Sequence, residues 1–145
     1  MANKNSIKEQ IRRNSVALIS LAVAITSLGY NTWRNEQSEE NRTQRLVAIE
    51  ALGKLADLQA VVWHHHWDKD FDGRGNLRTG WTLVLTVQDV SVVLDEPVQQ
   101  SAANLYEAWK LNSPDLGDQR EAEKNIVAAI DQCRDDMLAL LQMLD

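Results

Sequence analysis

Between Arg13 and Arg34 run twenty residues without a charge, and this stretch restricts the chain more than any other feature. Its apolar centre passes from Val16 through Leu18, Ile19, Leu21, Val23, Ile25 and Leu28 to Tyr30. As a helix it is about 30 Å long at about 1.5 Å per residue, which matches the hydrocarbon core of a bilayer. The polar members are mostly small hydroxyls (Ser15, Ser20, Thr26, Ser27), which bond back to helix carbonyls, with Asn14 and Asn31 at the ends. Tyr30 and Trp33 suit one membrane interface as aromatic anchors, and Arg12 and Arg13 suit the other. The pattern predicts a basic segment over 1–13 and a transmembrane helix over 14–33.

Ser27-Leu28-Gly29 also satisfies the small-x-small rule of a cleaved signal peptide. The residues after the span favour the membrane helix. Residues 34–45 are rich in Glu, Gln and Arg, lack Gly and Pro, and read as a polar helical stalk running into an apolar periodicity that starts at Leu46. Counting Lys and Arg near the span, the N-terminal side holds four and the other side holds Arg34, Arg42 and Arg45. The positive-inside rule then places the N-terminus in the cytoplasm and exports the C-terminal domain.

The net charge of −6 averages two unlike parts: four bases against one acid in residues 1–33, and eleven bases against twenty acids beyond them. The second part therefore carries −9 with its bases scattered singly, which argues against a nucleic-acid partner. A single Cys133 rules out an intramolecular disulfide and a Cys-ligated zinc site.

Residues 46–145 read as an antiparallel bundle of about four helices, so the fold class is all-α. Leu46, Ile49, Leu52, Leu55, Leu58 and Val62 recur at three- and four-residue steps and mark one buried helix face reaching Trp67. Asp68 to Arg78, with two Gly and three Asp, is a loop. Gly80–Val87 has the Val and Thr content of a strand, yet nothing else in the chain can pair with it, so a helix over 80–95 is expected. Asp95-Glu96-Pro97 starts the next helix, and Val98, Ala102, Leu105 and Trp109 mark its face before Asn112-Ser113-Pro114 ends it. Asp118 and Glu121 form a capping-box pattern for a last helix with the stripe Ile126, Ile130, Cys133, Met137, Leu140, Leu144.

The sharpest local motif is Asp68-Lys69-Asp70-Phe71-Asp72-Gly73, the D-x-D-x-D-G opening of an EF-hand loop, with Asn76 at the ninth position. Asp68, Asp70, Asp72 and Asn76 are the candidate calcium ligands, although Thr79 stands where the bidentate Glu belongs. The competing reading is a solvated helix-to-helix turn with no cofactor. In His64-His65-His66 only His64 shares a helix face with Asp68, so the three imidazoles do not chelate one ion. Trp63, Trp81 and Trp109 fall on or beside the apolar stripes, which makes them core residues with a satisfied indole N–H, or else the lining of a ligand pocket. No G-x-S-x-G, P-loop, H-E-x-x-H or dinucleotide-binding turn occurs, so catalysis is not expected.

Asn14–Leu21, Tyr30–Glu36 and Gly75–Trp81 resemble segments of uncharacterised bacterial single-pass inner-membrane proteins with an N-terminal anchor. The resemblance implies a bacterial inner membrane and attaches no activity. The sequence as a whole points to a membrane-anchored helical domain, its C-terminal part periplasmic, that acts by protein–protein interaction or signal relay. Its expected partners are the bilayer and another protein or a second copy, with Ser20 and Ala24 as a small-x-x-x-small pair in the span. A low-affinity calcium or small-ligand sensor, or a small membrane-acting effector of the toxin or defence type, are the alternatives.

Overall fold

The computed structural model describes Glu9, Arg12 and residues 14–144, which hold four α-helices and no strand. These are α1 (Ser15–His66), α2 (Leu77–Ser91), α3 (Glu96–Asn112) and α4 (Arg120–Met143), with a 3-10 turn at Ser113–Asp115. The chain divides into one unit ending at Glu40 and a second beginning at Asn41.

In the first unit α1 is apolar and long enough to cross a membrane, and none of the apolar window is buried. Two of its hydroxyls bond back to helix carbonyls: Thr26 Oγ1 donates to Ala22 O at 2.8 Å and Ser15 Oγ to Arg12 O at 2.9 Å. Such back-bonding removes a free donor from the helix surface, which a hydrocarbon environment requires.

In the second unit one face of α1 enters the core through Ala48, Ala51, Leu55, Leu58 and Val62. The sequence periodicity places Leu46 and Ile49 on that face, but they stand 61% and 55% exposed. Helical geometry explains the difference. At about 100° per residue a step of three falls about 60° short of a turn, so the run 55, 52, 49, 46 walks around the cylinder. Leu46 ends about 180° from Leu55.

Asn76 sets the start of α2, its Oδ1 accepting Arg78 N–H at 2.8 Å, so this helix begins before Gly80 and ends at Ser91 rather than 95. Pro97 opens α3 and Pro114 lies in the 3-10 turn after it. The capping box expected of Asp118 and Glu121 does not form. Asp118 N–H is drawn back to Asp115 O, and Gln119 becomes the extended residue before α4, with no side-chain bond. Helix α2 packs on α3, and α3 on α4.

Trp109 is the largest fully buried side chain, and it fits because α2 presents Gly80 to it. Trp81 meets Trp109 and Tyr106 edge-on at centroid distances of 6.4 and 5.8 Å. Contrary to expectation, Trp109 Nε1 has no hydrogen-bond partner among the described residues, so this site is held by shape and apolar burial alone. A Cβ on Gly80 would lie 2.2 Å from two carbons of the indole. Gly80→Ala gains about 1 kcal/mol of helix propensity but overpacks the core, at a cost of about 1–3 kcal/mol. Thermal unfolding of the variant is therefore expected to show a lower Tm, and an unchanged or higher Tm would contradict the fit.

Candidate functional site

The groups with chemical potential gather where α1 ends, at His64–Trp67 and the adjoining loop. Trp67 N–H still donates to Trp63 O at 2.8 Å, and then Lys69 adopts φ 55°, a left-handed conformation disfavoured for side chains with a Cβ. That turn brings Asp70 N–H back onto His64 O at 3.1 Å. Lys69 is held in place by its ammonium, which donates to Gly117 O between α3 and α4.

Each of the three histidines closes a different part of the structure. His64 Nδ1 lies 2.6 Å from Asp68 Oδ2, His65 Nδ1 2.7 Å from Gly75 O, and His66 Nδ1 2.6 Å from Leu116 O. A carbonyl only accepts, so His65 and His66 carry their proton on Nδ1. Both rings are buried, and His65 is further seated edge-on against Phe71 at 4.7 Å. Gly75 is required by this packing, since a Cβ there would lie 2.4 Å from His65 N. The Arg120 guanidinium covers the ring of the exposed Trp67 at 5.8 Å.

The expected calcium ligands do not converge. Asp70 Oδ1 and Oδ2 accept Gly73 N–H and Arg74 N–H, both at 2.9 Å, and Asp68 is engaged by His64. Asn76 Oδ1 caps α2 while its Nδ2 reaches toward Asp72 O at 3.4 Å. Among the described residues no three His, Cys, Asp or Glu side chains are grouped to hold a metal ion. Asp70 and Asn76 direct their side-chain oxygens to nearby backbone N–H groups, which is the turn chemistry of Asp and Asn, while Asp68 pairs with His64.

Among the described residues of the second unit, surface cavities open on both sides of α1, and no Trp lines the one against α2 or the one against α4. One, of about 300 Å³, lies between α1 and α2 with Asp57, Ala60, His64 and Arg74 on its wall. The other, of about 280 Å³, lies between α1 and α4, beside Arg45, Ile49 and Leu138. Cys133 is fully buried on α4. Burial pushes its thiol up to about 11, against a smaller opposing contribution from a Ser101 hydrogen bond.

Of the expected interface residues, Tyr30 and Trp33 are exposed with ring centroids 6.1 Å apart, and Arg12 is exposed. Arg13 lies outside the described residues, as do Lys4 and Lys8. No protein-family model, no curated protein and no solved structure matches this chain.

For the full chain in detergent, calcium at millimolar concentration is expected to leave Tm unchanged. Asp70→Ala lowers stability by about 1 kcal/mol, the scale of a lost capping carboxylate. A calcium-dependent rise in Tm would show that the loop holds an ion. The buried Cys133 resists a thiol reagent until the bundle unfolds. Because the folded state keeps the Cys133 proton where the unfolded chain releases it, stability falls from about pH 9 toward pH 11. A reagent titration of native protein that goes to completion at pH 8 would contradict the burial.

Proposed function

We propose that this chain is a single-pass bacterial inner-membrane protein whose α-helical C-terminal domain stands in the periplasm and acts through contact with another protein or relay of a conformational change, not through catalysis. The observation that carries this reading is the division of labour along α1. Its first part is an exposed, uncharged apolar helix with the length of a bilayer. Its second part is built into a packed core.

The non-catalytic part of the reading is supported by where the reactive groups are. His65 and His66 are buried against backbone carbonyls, His64 pairs with Asp68, and Cys133 is sealed in the core with its thiolate disfavoured. Catalytic acids, bases and nucleophiles need an accessible reacting atom and a matched pKa. These four groups are engaged in holding helices and loops together.

A C-terminal alkaline phosphatase fusion to the full chain is expected to be active in cells and a green fluorescent fusion dark. The reverse pattern would put the domain in the cytoplasm. Recovery of the protein from the soluble fraction after lysis would remove the anchor altogether.

A further inference from the structure

Helix α1 has a second apolar stripe, on the side away from its own bundle. Leu46, Ile49, Gly53, Ala56, Ala60, Trp63 and Trp67 step by three, four, three, four, three and four, and none carries a charge. All are exposed except Ala60, which is half-buried, and Leu46, Ile49, Trp63 and Trp67 each expose more than half their surface. The alternation of three and four averages about 3.5 residues, the period that keeps a narrow seam in contact along two helices. With Leu46 at position a, the bundle takes the c and f positions Ala48, Ala51, Leu55, Leu58 and Val62, together with Val61 at b and Gln59 and His66 at g, and leaves a and d outward.

We infer that this stripe is the interface of a parallel two-fold dimer, α1 against α1 of a second copy. The inference deepens the interaction reading above and rests on it, since two chains anchored in one membrane meet in the same sense and at raised effective concentration. The occupant is argued from the charges beside the stripe. In a parallel pair each g position faces the partner's e position five residues on, which sets Arg45 against the partner's Glu50, twice by symmetry. Arg45 already donates to Leu144 O at the end of α4, which fixes the guanidinium at the edge of the seam. An antiparallel pair would instead set Asp57 against its own copy on the two-fold axis, a like-charge contact.

Two further observations fit a close-packed partner. Gly53 sits mid-helix at a cost of about 1 kcal/mol relative to Ala, yet a Cβ there would meet nothing within 4 Å in its own chain. With Ala56 and Ala60 it forms a low waist at which a second backbone can approach. The large residues lie at the two ends of the stripe, and both cavities open beside it: Ile49 lines one, Ala60 and His64 the other. A d-position Trp63 from the second copy packs over Ala60 and His64, where about 300 Å³ is available for an indole.

The test uses the full chain in its membrane with single cysteines introduced by Ile49→Cys or Ala56→Cys, and Glu107→Cys on α3 as an exposed control; the buried Cys133 is left in place. Mild oxidation is expected to give a disulfide-linked dimer at 49 and 56 and none at 107. Adding Gly53→Lys is expected to abolish the crosslink while helical content and Tm hold or rise, because the chain itself does not fill that space. Equal crosslinking at 56 and 107, an adduct of another mass, or an unaffected Gly53→Lys variant would each overturn the dimer. If the dimer fails while the protein stays in the carbonate-resistant membrane fraction, only the seam is wrong; if the protein is soluble, the anchored reading itself has failed.

Discussion

A helix advances by about 100° per residue, and that single constraint decides what α1 can do. Only one arc of the cylinder can enter the bundle core, and Ala48, Ala51, Leu55, Leu58 and Val62 occupy it. Val61, Val47 and Leu52 flank that arc and are buried or half-buried against the core, while apolar residues on the opposite side remain outside. Leu46, Ile49, Trp63 and Trp67 are outside for this reason, and together they leave an apolar stripe exposed on the side away from the bundle.

The core that α1 supports depends on two close fits. Gly80 against Trp109 lets α2 and α3 share one large ring, and the loss of an indole hydrogen bond is offset by complete apolar burial of that ring. At the other end, His65 and His66 donate to carbonyls in two separate loops, so residues adjacent in sequence tie together Gly75 and Leu116. Buried hydrogen bonds of this kind contribute about 1 kcal/mol each in net terms, and more is lost when one partner is removed and the other left unpaired. The imidazoles are thereby structural members of the second unit.

How much of this was legible in the sequence differs from element to element. The α4 stripe of Ile126, Ile130, Cys133, Met137 and Leu140 alternates steps of four and three, stays on one face, and is buried as its spacing predicts. On α1 the expected face holds for Leu55, Leu58 and Val62, with Leu52 half-buried beside them, and fails at Leu46 and Ile49, because a run of threes drifts around the helix. The helix at Gly80–Val87 was legible by elimination, since a lone strand has nothing to pair with. The D-x-D-x-D-G motif was read correctly as a loop, but a motif does not say whether its oxygens face an ion or their own backbone, and here Asp70 faces Gly73 and Arg74. Nor can local spacing reveal that Gly80 makes room for Trp109, twenty-nine residues away. The uncharged stretch was the plainest signal, and it forms an exposed helix long and apolar enough to cross a membrane.

The anchored reading requires the first part of α1 to lie in lipid while the stalk beyond it stands in water. Spin labels placed singly along residues 16–45 of the full chain in a bilayer measure this through relaxation by oxygen, which concentrates in hydrocarbon, and by a nickel chelate, which stays in water. Oxygen access is expected to be high and nickel access low from 16 to 30, with the order reversed by 36–42. Nickel access throughout 16–30 would contradict the anchor.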